Sequence, residues 1–258
     1  MPWGVRSNLN MEHIMELADE GKRDDGRTFD QFRNLDIRTN IIGTSEGSAE
    51  VILGKTRVIA GVKLGKGDPY HDNPDEGVLI TTVQLRNPYS SFSYGGTMKE
   101  DAIELARVVD RGIRGCGAVN LEKLCIERGE SVWVMFLDIQ VLNDDGNLFD
   151  AAGIAATAAL ATTKIPNEDI EVGLDKIINK TPIPVTIAKI NNALMIDPNS
   201  EEETIAGARI TITTFDGNGI SAIQKGLSGS FDESELKECI NMAIEASKPI
   251  RERIKTII

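Results

Sequence analysis

Four carboxylates fall within seven positions of DPNSEEETIAGAR (197–209): Asp197, Glu201, Glu202 and Glu203, with Arg209 closing the stretch. Crowded carboxylates can hold a divalent cation, pass protons as general acid and base, or simply solvate a turn. Runs such as SEEE are usually solvated, and Asp197 followed by Pro198 and Asn199 reads as a turn starter. A second constellation is basic. Arg107, Arg111 and Arg114 stand at i, i+4 and i+7 of KEDAIELARVVDRGIR (99–114), so a helix there puts all three on one face. Like charges on one stripe repel unless neighbouring acids neutralise them or an anion meets them. Glu104 with Arg107 and Asp110 with Arg114 would supply local pairs. A nucleic-acid phosphate backbone would supply the anion. The pattern alone leaves both readings open.

Other chemical signals are weaker. SAEVILGKT ends like a phosphate-binding P-loop, but Ala49 stands where the first glycine belongs, and RVIAGVKL reads as a strand where a helix should follow. YGGT (94–97) reads as a plain turn. Cys116, Cys125 and Cys239 are odd in number and contain no C-x-x-C; with His13 and His71 they make a poor zinc set. They suit a reducing compartment, so the expected location is the cytoplasm.

Elements to position these residues are legible. A short polar helix is expected over 8–21, with Leu9, His13, Ile14 and Leu17 on one side and Gly21 as its stop. LDIRTNIIGTSEG, SAEVILGKT, RVIAGVKLGKG and VLITTVQL read as strands, and the polar loop GDPYHDNPDEG separates the last two. In the 99–114 helix, Ala102, Ala106, Val109 and Ile113 face inward. SVWVMFLDIQVLND (131–144) is a buried strand, and the small residues of DAAGIAATAALATT (150–163) make a central helix that another backbone can approach. PVTIAKI, ALMIDP, ARITITTFD and GISAIQKG are further strands. A last helix runs from Glu233 to about Lys255, capped by Asp232, and Pro249 should kink or end it.

The strand-turn runs VLNDDGNLFD (141–150) and TTFDGNGISA (213–222) are alike, which suggests two pseudo-symmetric halves. The expected class is α+β, with 1–258 as one unit: a first half over about 20–165 and a second over about 180–258. Composition agrees with a globular chain: 41% hydrophobic and 26% charged residues over 258 positions. No apolar run approaches the roughly 18 residues of a membrane span, and the N-terminus turns charged without a signal core. A net charge of −12 gives no overall field for nucleic acid, so any RNA or DNA contact must come from a local basic patch or a partner subunit.

Several long segments carry a family resemblance. DGRTFDQFRNLDIRT, ELARVVDRGIRG, SVWVMFLDIQVLNDDGNLFDAAGIAATAAL and LMIDPNSEEETIAGARITITTFDGNGISAIQKG, in that order, resemble the RNase PH family, and more closely the non-catalytic RNase PH-like subunit of the archaeal exosome ring. The resemblance spans about 20–255. It implies two halves of the ribosomal protein S5 domain 2-like type. It further implies a hexameric ring of three heterodimers, in which this subunit alternates with a catalytic paralogue. A trimer of RNA-binding cap proteins would sit on one face. The assembly would degrade single-stranded RNA 3′→5′ with phosphate as co-substrate, and no cofactor or metal belongs to this subunit.

Site residues transfer position by position. Catalytic members carry Asp-Gly-Gly-Thr-Arg-Thr after the long central strand, whose amides and arginine hold phosphate at a helix start. Here the run is Asp145-Gly146-Asn147-Leu148-Phe149-Asp150: Phe149 replaces the arginine, and Asp150 is expected to add a negative charge where phosphate would land. Catalytic members also carry two aspartates six residues apart. Glu203 takes the first position and Arg209 the second, and an arginine can neither accept a proton nor bind a cation. The acidic stretch is thus the place of a lost catalytic pair. The implied RNA contacts are Arg107, Arg111 and Arg114. Two other readings remain to be weighed: a phosphorolytic exoribonuclease active by itself, and a metal-dependent hydrolase built on Asp144, Asp145, Asp197 and Glu203.

Overall fold

Helix α3 (Leu148–Ala161), whose sequence is LFDAAGIAATAALA, is buried along nearly its whole length. Its small side chains let sheets approach on two sides. A Cβ at Gly153 would lie 2.4 Å from the Pro184 ring, so only glycine allows that contact. The computed structural model describes residues 3–85, 100–165 and 178–257; the YGGT turn lies outside them.

On one side of α3 is a six-stranded sheet. Its order is β1 (Leu35–Thr39), β2 (Gly47–Leu53), β3 (Thr56–Gly67), β6 (Ser131–Asn143) and β4 (Val78–Leu85), with short β5 (Cys125–Glu127) also pairing β6. Every pair is antiparallel except β4 with β6. That parallel pair needs a crossover, which α2 (Glu100–Gly115) helps to provide. On α2, Ala102, Ala106, Val109 and Ile113 are buried as expected, while Arg107, Arg111 and Arg114 are exposed.

On the other side is an antiparallel sheet ordered β10 (Gly219–Gly226), β9 (Ala208–Phe215), β7 (Ile183–Ile190), β8 (Ala193–Ile196). Its two faces differ. Val185, Ile187, Ile210 and Ile212 meet Cys239 and Ala243 of helix α5 (Glu233–Ile257). The alternate residues Pro184, Thr186 and Thr213 meet α3 and α2. Period-two alternation thus assigns an apolar face to α5 and a hydroxyl-bearing face to the centre.

Some expectations shift. Helix α1 starts at Trp3 rather than about residue 8, and Ile14 and Ala18 are its buried residues while His13 is exposed. Of LDIRTNIIGTSEG, Leu35–Thr39 form β1 and only its last residue, Gly47, returns to strand, because Asn40 takes a positive φ of 56° and turns the chain. Helix α5 runs through Pro249 to Ile257. Pro249 is exposed, so the carbonyl it frees can meet water, while buried Ser247, Ile250, Arg251 and Ile254 hold the last turns down. The two D-G-N runs share consecutive left-handed Gly-Asn pairs, but the first leads into α3 and the second closes the β9–β10 hairpin. Among the described residues no helix is long and apolar enough to cross a membrane.

Candidate functional site at the start of the central helix

The turn before α3 is held in place by backbone conformation. Gly146 (φ 84°) and Asn147 (φ 57°) are both left-handed, and a Cβ at Gly146 would lie 2.5 Å from the backbone of Asn199 and Ser200. The turn therefore packs directly on α4 (Ser200–Ile205), formed by SEEETI of the acidic stretch. Asn199 and Glu202 cap that helix reciprocally: Asn199 accepts from the Glu201 and Glu202 amides, and Glu202 accepts from the Asn199 amide.

The four carboxylates of that stretch go to different places. Glu201 is exposed. Glu202 is buried and takes two hydrogen bonds from Arg23, at 2.8 and 2.5 Å. Asp197 is fully buried. It accepts from the Arg33 guanidinium at 2.9 and 2.8 Å, the Arg33 amide at 2.7 Å, Arg27 at 3.1 Å and the Asn147 side chain at 2.7 Å. Burial opposes the charge on Arg33, but the hydrogen bonds and charge of Asp197 outweigh it and raise the guanidinium pKa. Arg33 also donates to the Asp145 and Gly146 carbonyls, so it ties the N-terminal segment to both turns. Sequence reading missed Arg23, Arg27 and Arg33. The available signal was three arginines in a short segment of a chain rich in acid.

Glu203 meets the backbone at the start of α3. Its Oε1 accepts from the Asn147 amide at 3.1 Å and lies 3.6 Å from the Arg209 guanidinium. Burial pushes its pKa up, opposed chiefly by Arg209. Arg209 in turn stacks over the Phe149 ring, 4.6 Å from its centroid. The three positions aligned with catalytic residues, Phe149, Glu203 and Arg209, are therefore brought together. They line a cleft of about 220 Å³ with Asp101, Glu104, Asp144, Leu85, Leu105 and Leu148. Among the described residues, four carboxylates line the cleft with one guanidinium, which is paired and stacked. An amide at the helix start, where an anion is favoured, already holds the protein's own carboxylate.

Asp150 departs from expectation. It does not face this cleft, because one helical step rotates it toward the second sheet, where it is fully buried. It accepts from the Thr186 amide and hydroxyl and from the Asn147 side chain, at 2.7–2.9 Å. Burial pushes its pKa up to about 7; those hydrogen bonds oppose the shift, and the Asp197 charge adds to it. The carboxylates of the hydrolase reading are also divided. Asp144 and Glu203 line the cleft, whereas Asp197 is sequestered by arginines and Asp145 sits 3.6 Å from Arg33. Among the described residues no three His, Cys, Asp or Glu side chains are placed to hold a metal.

The arginine face of α2 borders β10. Arg114 pairs with Asp110 at 2.7 Å and also donates to the Leu79 carbonyl. Glu104 does not pair with Arg107; it accepts from Gln224 of β10 at 3.0 Å. Arg111 donates to the Arg107 carbonyl at 3.3 Å and to Gln224 at 2.7 Å. Among the described residues neither Arg107 nor Arg111 has a salt-bridge partner. Arg107 and Arg111 line one open cleft with Glu104 and Gln224, and Arg111 and Arg114 line the next with Ser221 and Ile223.

Comparison with known proteins agrees with this geometry. Domain 1 of the 3′ exoribonuclease family matches residues 31–166, and domain 2 matches 180–246. The chain is 46% identical to exosome complex component Rrp42 of Methanosarcina acetivorans, covering 96% of this chain and 94% of that protein. It is 40% identical to exosome complex component Rrp42 of Archaeoglobus fulgidus, over the full length of both. A solved archaeal exosome core chain superimposes with a TM-score of 0.89 at 40% identity, covering 99% of this chain and 100% of that one. A chain of the Archaeoglobus fulgidus exosome with RNA bound to the active site gives 0.88 at 40% identity, covering 96% and 99%. Rice Rrp46, at 19% identity and a TM-score of 0.71, shares the fold over 91% of this chain and 99% of its own. With both of its domains matched and near-full-length relatives in hand, the chain belongs to the RNase PH (3′ exoribonuclease) family.

Proposed function

We propose that this chain is a non-catalytic subunit of a phosphorolytic 3′→5′ exosome. It shapes the active site of a catalytic RNase PH-like paralogue and contacts single-stranded RNA through Arg107 and Arg111. The names of its near-full-length relatives support membership of an exosome. The non-catalytic reading rests on one observation. Where a phosphate-binding arginine is needed, Phe149 lies under Arg209, in a cleft that among the described residues is lined by four carboxylates and that one cation. Inorganic phosphate entering there would meet an excess of carboxylates among the described residues and an amide already capped by Glu203. A chain active by itself would need a cation free to hold phosphate and an acid free to move a proton, and Arg209 and Phe149 supply neither.

The partners are a catalytic paralogue in a ring of three heterodimers and a trimeric RNA-binding cap, in the cytoplasm. The two halves act as one unit, because α3 is buried against both sheets and Arg33 links three segments. The test is phosphorolysis of a single-stranded RNA, by the purified chain and by the chain assembled with its paralogue. The isolated chain should release no nucleoside diphosphates in phosphate buffer, and the assembly should release them processively. Robust release by the pure chain would overturn the reading.

A further inference from the structure

The Gln224 side chain sits between a carboxylate and a guanidinium. Its Nε2 donates to Glu104 Oε1 at 3.0 Å, and its Oε1 accepts from Arg111 at 2.7 Å. That orientation is the only one chemistry allows: a guanidinium has donors and no acceptor, an ionised carboxylate the reverse, and a glutamine amide has one end for each. Residue 224 lies on β10, opposite Thr211 of β9, so the sheet and not the helix decides where the amide stands.

The arrangement has an electrostatic consequence. Glu104 and Arg107 are three apart on α2, the spacing at which opposite charges ordinarily pair. They do not pair, because Glu104 is engaged with Gln224. Arg111 is engaged with a neutral amide and a backbone carbonyl, neither of which cancels its charge. A neutral side chain from another element thus keeps the acid of the stripe off its bases. It also restrains the Arg111 side chain, whose freedom would otherwise be lost on binding an anion.

We propose that Gln224 is a positioning residue for RNA, holding Glu104 away from Arg107 and presenting Arg111 with its charge uncancelled. The proposal rests on the reading that Arg107 and Arg111 contact the RNA backbone. In Gln224→Met, a side chain of similar length fills the same place without an amide. Glu104 is released to pair with Arg107, and RNA must then break that pair.

The experiment measures binding of a labelled single-stranded oligoadenylate to rings assembled with the catalytic paralogue, over a range of salt, with thermal melts alongside. Gln224→Met should weaken binding roughly two- to fivefold at low salt, the range set by an exposed ion pair, and less as salt rises. Gln224→Met combined with Glu104→Gln should return affinity to the wild-type value, because no carboxylate remains to compete. In an Arg107→Ala/Arg111→Ala background, Gln224→Met should change nothing. If the double arginine variant binds RNA as wild type does, the RNA reading falls and the proposal with it. If that variant is weakened but Gln224→Met binds normally, the proposal alone is overturned. Failure of Glu104→Gln to rescue would also overturn it, because the loss would then be structural or a direct contact of Gln224.

Discussion

Arg33 and Arg111 carry the same group in opposite situations. Arg33 is nearly enclosed, and its guanidinium meets the Asp197 carboxylate and two backbone carbonyls. Arg111 is exposed and, among the described residues, its guanidinium donates to a neutral amide and a carbonyl. Desolvation explains the first arrangement, since a charge taken from water is tolerated only when paired and hydrogen-bonded. Nothing in folding requires the second, because water solvates an exposed cation adequately. Among the described residues Arg107 and Arg111 have no salt bridge, whereas Arg23, Arg27, Arg33 and Arg114 are paired, so the exposed two stay open to an anion. Of the acidic stretch, which in isolation reads as a solvated turn, Asp197 and Glu202 belong to the first situation.

That contrast is broken most directly by removing the centre of the buried network. Asp197→Ala leaves Arg33 and Arg27 short of a carboxylate and Asn147 short of an acceptor. Breaking a buried pair costs about 3–5 kcal/mol. Urea unfolding should show a loss of that size, and it should hardly change between low and high salt, because buried pairs are poorly screened. A loss below about 1 kcal/mol, fading with salt, would place this network among surface pairs.

A smaller effect concerns Asp150, which sits beside the network without an arginine of its own. Asp197 and Arg33 are the charged groups that bear on it, together with the hydroxyls of Thr186 and Thr211. Unfolded, this carboxyl ionises near 3.8; folded, it does so at about 7. Below the first value both states hold the proton. Between the two only the folded state does, so the stability this group contributes falls as pH rises and is lost above about 7. Asp150→Asn can keep every contact, its oxygen accepting from the Thr186 amide and Asn147 and its amide donating to the Thr186 hydroxyl. The variant should gain on wild type from pH 4 to pH 8, with a ceiling on the order of 4 kcal/mol. Parallel pH–stability curves for the two proteins would mean that Asp150 is ionised throughout.

How much of this was legible in the sequence depends on how far apart the determinants lie. The small-residue pattern of 148–161 announces a buried helix because every residue of it votes the same way. The inner stripe of α2 is equally local. Pro249 does not end α5, because its cost depends on whether the freed carbonyl meets water, which is a property of the packed surface. Asp150 misled because a linear alignment cannot give the rotation of one helical step. Arg23 and Arg33 stand more than 160 positions from the acids they neutralise, and no local spacing could pair them. Distance along the chain also hid Gln224, 113 positions from Arg111. What the resemblance carried was the placement of Phe149, Glu203 and Arg209 at one spot, which the fold does bring together.

The finest test separates two arginines on one helix face. Arg114 is paired with Asp110 and bonded to the Leu79 carbonyl of β4, whereas Arg111 has no carboxylate partner among the described residues. Arg111→Ala in assembled rings should weaken single-stranded RNA alike for unrelated sequences, because backbone contacts carry no sequence information. It should flatten the log–log salt dependence by roughly one unit or less. Folding should change by about 0–1 kcal/mol, as for other exposed side chains. Arg114→Ala should do the reverse. Its charge is offset by Asp110, so the salt slope should move less than for Arg111→Ala. Its bond to β4 helps fix α2 on the first sheet, so the melt should fall further. Affinity against salt and melting temperature, measured on both variants, make a crossed pair of readouts. If Arg114→Ala flattens the slope as much as Arg111→Ala does, local pairing does not decide which cations meet RNA. If Arg111→Ala instead dissolves the ring, its partner is a carboxylate on the neighbouring subunit, and the exposed cation of the single chain is an interface residue of the assembly.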